Sequence, residues 1–152
     1  MVLARLIVQI ISIRKLKRVN HGLNTAIGFR TKLENPSNIY IGNNSYVNGG
    51  YLVAGKSSKI QIGDNCLISY EVHIRTKTHK YKNRNLLINQ QGEYEKSIII
   101  GDDCWIGFGV QIMPGIHIGT GSVVAAGAIV THDTDPYGVY AGVPARKISE
   151  RY

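Results

Sequence analysis

Ile100, Ile106, Ile112, Ile118, Val124 and Val130 recur every six residues. The same spacing of six recurs at Ile62, Ile68 and Ile74, and after a three-residue slip at Ile41, Val47 and Val53. A period of six is neither the two of an isolated strand nor the 3.6 of an amphipathic helix. It suits a chain that turns a corner every six residues, so that three short strands, 18 residues together, close one triangular coil. The Ile or Val of each strand then points inward and stacks on its equivalents above and below. The residue after the anchor is Gly at 42, 63, 101, 107 and 119, and Gly or Asn suits the backbone angles of corners. The fourth residue after the anchor is small at Ser45, Ser57, Cys66, Thr78, Cys104, Ser122 and Ala128, as an inward slot requires. The pattern specifies an all-β chain, the hexapeptide form of the parallel β-helix.

The anchors also mark the parts of the chain, which reads as one domain over residues 1–152. Residues 1–26 are expected to form an N-terminal cap, 27–78 and 98–131 the coils, 79–97 a protruding loop and 132–152 a C-terminal tail. The loop, "HKYKNRNLLINQQGEYEKS", lacks any anchor, and a long excursion from a regular solenoid points to function. A solenoid this short leaves flat faces and open ends, which call for caps or partners. Cys66 and Cys104 both fall in the inward slot, so buried reduced thiols in a cytosolic protein are expected rather than a disulfide.

Lys and Arg number 18 against 10 Asp and Glu, a net charge of +8. The densest basic run is "RTKTHKYKNR", residues 75–84. Such a run attracts phosphate-bearing or acidic ligands. No recognition helix, zinc knuckle or aromatic stacking motif accompanies it, so nucleic acid is not the expected partner. The N-terminal "MVLARLIVQIISIRKLKRV" is apolar over too short a stretch to span a bilayer, and no small-residue cleavage site follows it. It reads as a helix packed on the first coil or a neighbouring subunit. The other reading is a peripheral contact of residues 1–19 with the inner face of the membrane. The expected location is therefore cytoplasmic.

Among His21, His73, His79, His117 and His132 no two are 18 apart, so the coils build no ladder of imidazoles and no metal site is expected. There is no Gly-rich phosphate loop, no Gly-x-Ser-x-Gly elbow and no Cys–His pair at nucleophilic spacing. Direct transfer is favoured over a covalent intermediate. His79 sits where the coils give way to the basic loop, where an imidazole suits a general base for a hydroxyl or amine nucleophile.

The run "IIIGDDCWIGFGVQIMPGIHIGTGSVVAAGAIVTHD", followed by "YAGVPARKI", resembles the C-terminal half of hexapeptide-repeat acyltransferases. It is most similar to sugar O-acetyltransferases of the maltose/galactoside type and those that decorate surface polysaccharides. The likeness extends from Ile60 to Ile148. It implies a left-handed parallel β-helix and a homotrimer, with acetyl-CoA as acyl donor lying between subunits. It also implies that His79 is the base that deprotonates the acceptor hydroxyl as that oxygen attacks the thioester. Trp105 matches the aromatic beside the pantetheine. Gly107, Ala126 and Thr131 match pantetheine-contacting positions, and Arg146 with Lys147 matches the residues that meet the CoA phosphates.

The sequence departs from the maltose/galactoside pattern on the acceptor side. His79 is followed by Lys80-Tyr81 rather than Pro, Lys56 and Ser57 replace a carboxylate and an amide, and Phe108 and His132 are substituted near the CoA groove. With the basic loop, these changes point to an acidic or phosphate-linked carbohydrate met by Lys56, Lys77, Lys80 and Tyr81. The function expected is O-acetylation of a sugar of a cell-surface polysaccharide or its precursor. Alternatives are N-acetylation of an amino or nucleotide sugar, acetylation of a xenobiotic, zinc hydration as in carbonic anhydrases of this fold, and a non-catalytic assembly role.

Overall fold

The computed structural model describes residues 2–152; Met1, the first residue of the segment expected at a membrane, lies outside the described residues. Helix α1 (Val2–Leu16) leads into a triangular prism of parallel strands. The first face stacks Asn20–His21, Ile39–Ile41, Ile60–Ile62, Ile98–Ile100 and His117–Ile118. The second face carries Leu67–Ile68, Trp105–Ile106, Val123–Val124 and Gly138–Ala141, and the third Val72–Arg75, Gln111–Ile112 and Ile129–Val130. Two longer strands, Ala26–Glu34 and Tyr46–Val53, run through the corner and belong to both of these faces.

Register places like on like. Ile41, Ile62, Ile100 and Ile118 form one stack, and Val47, Ile68, Ile106 and Val124 a second. Leu52, Ile74, Ile112 and Val130 form the third. All of these residues are buried, and burying each contributes about 1.5–3 kcal/mol relative to exposure. The third stack corrects the sequence reading, because Leu52 rather than Val53 faces Ile74. The strand Tyr46–Val53 passes the corner without a full turn, at Gly50, so its rung is one residue short. Gly50 has φ +113, and a Cβ there would lie 2.1 Å from the Val72 carbonyl oxygen.

The corners use two residue types for two different reasons. Left-handed backbone falls at the third residue after an anchor, at Asn44, Asn65, Asp103, Gly109 and Gly121 among others. The glycine directly after an anchor is instead demanded by the neighbouring coil. A Cβ on Gly63 would lie 2.8 Å from both the Asp102 nitrogen and the Gly101 carbonyl carbon.

The inward slot holds Ser45, Cys66, Cys104, Ser122 and Ala128, as expected, but Ser57 and Thr78 are exposed and Ser58 and Thr76 take their places. The shift follows from the longer corner between Val53 and Ile60. Cys66 and Cys104 are free and buried, their thiols donating to the carbonyls of Gly101 at 3.1 Å and Gly119 at 3.2 Å. Hydrogen bonding with Cys66, reinforced by burial, pushes the Cys104 thiol up, so it stays protonated and inert.

The prism is longer than the anchors alone indicate. Asn20–His21, inside the expected cap, already forms a rung beside Ile39–Ile41. After Val130, Gly138–Ala141 continues the second face, and Arg146–Glu150 returns antiparallel to it. Helix α1 lies against Ala26–Glu34, with Leu16 on the core. The Lys15 amine donates to the carbonyls of Phe29 and, at 2.6 Å, Thr31.

Candidate active site

The excursion leaves the prism at the edge between its third and first faces. Its two ends pair as an antiparallel ribbon, Lys77–His79 with Glu93–Glu95, in the register Lys77–Glu95, Thr78–Tyr94 and His79–Glu93. Side chains alternate along a strand, so Lys77, His79, Glu93 and Glu95 share one face of the ribbon.

A carboxylate fastens the base of this ribbon to the corner 55–58. Glu95 accepts hydrogen bonds from the Ser57 amide at 2.9 Å, the Ser57 hydroxyl at 2.7 Å and the Ser58 hydroxyl at 3.2 Å. Ser58 in turn meets the Thr76 hydroxyl at 2.6 Å, and Thr76 accepts from the Gly55 amide at 2.7 Å. A Cβ at Gly55 would stand 2.2 Å from Glu95 Oε2, so a larger residue there would displace the carboxylate. The Ser57 hydroxyl and then its amide hold the Glu95 carboxyl below the usual carboxylate range. Lys77 adds a second tie, a 2.7 Å ion pair with Glu34 of the first coil. The hydrogen bond with Glu34 raises the Lys77 pKa.

His79 stands at the outer end of the anchored ribbon, exposed, with Glu93 directly across. Its imidazole is exposed and makes no side-chain hydrogen bond among the described residues. Beyond it, Lys80 donates its amide to the Gly92 carbonyl at 3.0 Å, and Gln91 crosslinks Asn83 and Leu86. The loop exposes Tyr81, Leu86, Leu87 and Ile88 together.

Trp105, Gly107 and Ala126 lie elsewhere on the prism. Trp105 is 55% exposed on the second face, between Leu67 and Val123. Gly107 is buried, its backbone pressed on the next coil, where a Cβ would lie 2.7 Å from the Ala126 nitrogen. Ala126 itself is exposed at the edge between the second and third faces.

Thr131 and Arg146 are exposed near the C-terminal end of the prism, where a cleft of about 270 Å³ is lined by Val130, His132, Asp133, Tyr140, Ala145 and Arg146. Thr131 meets the His132 ring at 2.9 Å. Val130 is two rungs from Ile74 in the third stack, about 10 Å along the axis from the base of the loop.

The second face lies opposite the edge that carries the loop. One chain therefore does not bring Trp105 to His79. Two of the residues expected at the site are held in ion pairs. Lys77, expected to meet the acceptor, is engaged by Glu34, and Lys147, expected at the CoA phosphates, is held by Asp135 at 3.2 Å and Glu150 at 2.5 Å. Lys56, Lys80 and Tyr81 remain exposed, while Arg146 donates to the Ala145 carbonyl at 3.0 Å. Among the described residues no three His, Cys, Asp or Glu side chains gather so as to hold a metal ion.

Sequence reasoning missed Glu95, Glu93 and Glu34. The visible signal was the pairing of "KTH" with "EYE" across the loop, but nothing local ties Glu95 to a corner 38 residues earlier. It also missed a stack on the third face. There Tyr51 and His73 have ring centroids 4.5 Å apart, and the Lys32 amine lies over Tyr51 at 4.9 Å.

Residues 97–132 match the family described as bacterial transferase hexapeptide (six repeats). Across 90% of this chain, the fold superposes with a TM-score of 0.79 on a hexapeptide-repeat acetyltransferase from Vibrio cholerae crystallised with acetyl-CoA, 31% identical and covered over 73% of its length. The chain belongs to the hexapeptide-repeat acetyltransferase family. The galactoside O-acetyltransferase of Escherichia coli is 42% identical over 115 residues, 75% of this chain and 55% of that protein. A variant of an N-acyltransferase from Bacillus cereus, solved with dTDP-4-amino-4,6-dideoxyglucose and coenzyme A, is 26% identical at a TM-score of 0.66. That match covers 93% of this chain and 89% of the other. The chain spans about half the length of the curated relatives it matches.

Proposed function

We propose that this hexapeptide-repeat protein transfers acetyl from acetyl-CoA to a hydroxyl of a sugar in a cell-surface polysaccharide or its precursor, with His79 as general base. The carrying observation is the presentation of His79, an exposed imidazole on a ribbon fixed to the prism by Glu95 and Lys77. An imidazole free of internal hydrogen bonds accepts the hydroxyl proton as that oxygen attacks the thioester carbonyl. The tetrahedral oxyanion, held by a backbone N–H, then collapses, and the C–S bond breaks to release CoA as its thiol. The likeness to proteins crystallised with acetyl-CoA and to galactoside O-acetyltransferase supports the donor and the reaction class.

We further propose a homotrimer with each site between neighbours. Trp105 and His79 stand on opposite sides of one prism, and the loop exposes Tyr81, Leu86, Leu87 and Ile88. A patch of that kind calls for cover by another surface. Trp105, Gly107, Ala126 and Thr131 would line the pantetheine channel, and Arg146 with His132 would meet the nucleotide end. Lys56, Lys80 and Tyr81 would face the acceptor, which their charge suits to an anionic unit. The reaction is placed in the cytoplasm, where acetyl-CoA is made.

Transfer to the amine of an amino sugar is a second reading, favoured by the likeness to the N-acyltransferase that binds a nucleotide-linked amino sugar. Thiol release from acetyl-CoA, measured against a panel of hydroxylated, amino and nucleotide sugars, separates the two. Release with hydroxyl acceptors alone supports O-transfer, and release with amino sugars alone overturns it.

A further inference from the structure

Helix α1 is apolar on two sides, and the body of the protein covers only one of them. Val8, Ile11, Ser12, Lys15 and Leu16 are half-buried toward Ala26–Glu34. On the other side Leu3, Leu6, Ile7, Ile10 and Ile13 are 41–70% exposed. At about 100° per residue these five fall within an arc of about 120°, a continuous stripe along the helix. Exposed large side chains gathered in one stripe mark a contact surface.

The charge around the stripe says what covers it. Arg14 and Lys17 lie at its C-terminal end, on the same side of the helix, and Arg5 and Arg18 are exposed nearby. Residues 1–33 hold seven Lys and Arg and no Asp or Glu; the first carboxylate is Glu34. Two copies joined through this surface would bring together two such segments with no carboxylate to offset them. An anionic surface with an apolar interior meets both halves of the pattern. The helix is not long and apolar enough to cross a membrane, which fits a helix lying in the interface plane.

We propose that α1 docks the protein on an anionic phospholipid bilayer, with Leu3, Leu6, Ile7, Ile10 and Ile13 in the headgroup–acyl boundary and Arg14 and Lys17 at the lipid phosphates. Helix α1 supplies no residue to the proposed acetyl-transfer site, so the inference stands whether or not acetyl transfer is observed.

The test is flotation of the full chain with vesicles of phosphatidylglycerol and phosphatidylethanolamine, beside vesicles of phosphatidylcholine alone. Oligomeric mass is followed by light scattering. The account expects recovery with the anionic vesicles, at least tenfold less with phosphatidylcholine, and a decline as salt rises. Ile7→Ser/Ile10→Ser should lower anionic recovery at least tenfold at unchanged oligomeric mass and circular dichroism. Arg14→Gln/Lys17→Gln, which keeps the stripe, should lower it severalfold and flatten the salt dependence. Absence of anionic binding, equal recovery on both vesicles, or recovery indifferent to the stripe variant would overturn the proposal. So would a stripe variant that changes oligomeric mass but not flotation, which would assign the stripe to another copy of the chain.

Discussion

Glu95, on the returning strand of the loop, takes both the amide and the hydroxyl of Ser57, at 2.9 and 2.7 Å. The contact joins residues 38 apart in sequence and fixes the ribbon that carries His79 to a corner of the prism. Without it the ribbon would hang from the prism by the Lys77–Glu34 pair and the backbone ladder beside Thr76.

Glu95→Ala should therefore lower kcat more than it raises the KM for acetyl-CoA, because the donor groove does not include the ribbon's base. A displacement of about 1 Å in a base is enough to cost about 10²-fold in rate. Steady-state kinetics with both substrates varied checks this, and Glu95→Gln, which keeps an acceptor oxygen for Ser57, should restore part of the loss.

The same contact sets a pH dependence. Ser57 holds the Glu95 carboxyl below its ordinary range, so the folded pKa is depressed relative to the unfolded chain. Stability from the contact is then present above the unfolded carboxylate pKa and lost as pH falls through the lower, folded value. The protection of amides 77–79 and 93–95, taken as exchange relative to the intrinsic rate at each pH, should be high at neutral pH and fall in acid, and Glu95→Gln should remove that fall.

The coil-to-coil spacing makes its own prediction. Gly63→Ala places a methyl 2.8 Å from the backbone of the next coil and should cost about 1–3 kcal/mol, read as a lower denaturant midpoint. Ile106→Ala, which empties a fully buried position in the second stack, should cost roughly 2–5 kcal/mol at the same m-value.

A site shared between copies predicts complementation. Neither His79→Ala nor Ala126→Trp should transfer acetyl alone, the first lacking the base and the second blocking the pantetheine channel. Mixed and reassembled, they should regain activity at sites that join an intact His79 to an intact Ala126. Hybrid oligomers verified by mass and still inactive would place both halves of each site in one chain.

The period of six was enough to define the prism, because an inward stack of Ile and Val leaves its mark at every rung. It failed at Leu52, where Gly50 lets the strand round a corner one residue early. It also misread the glycines after the anchors, since contact with the next coil is invisible in a single repeat. The departure of the chain from the prism near His79 was legible from the end of the regular pattern. The pairing of Lys77 with Glu34 and of Lys147 with Asp135 was not, because partners 12 and more residues apart carry no local signal. Charge counted along the loop therefore included Lys77, whose charge Glu34 offsets.

The most direct test of the central claim is thiol release from acetyl-CoA by the intact chain and by His79→Ala across a panel of neutral, anionic and amino sugars. The account predicts release with a hydroxylated carbohydrate acceptor and a fall of about 10²–10⁴-fold in the variant, with acetyl-CoA still bound. Release that persists unchanged in His79→Ala would contradict it.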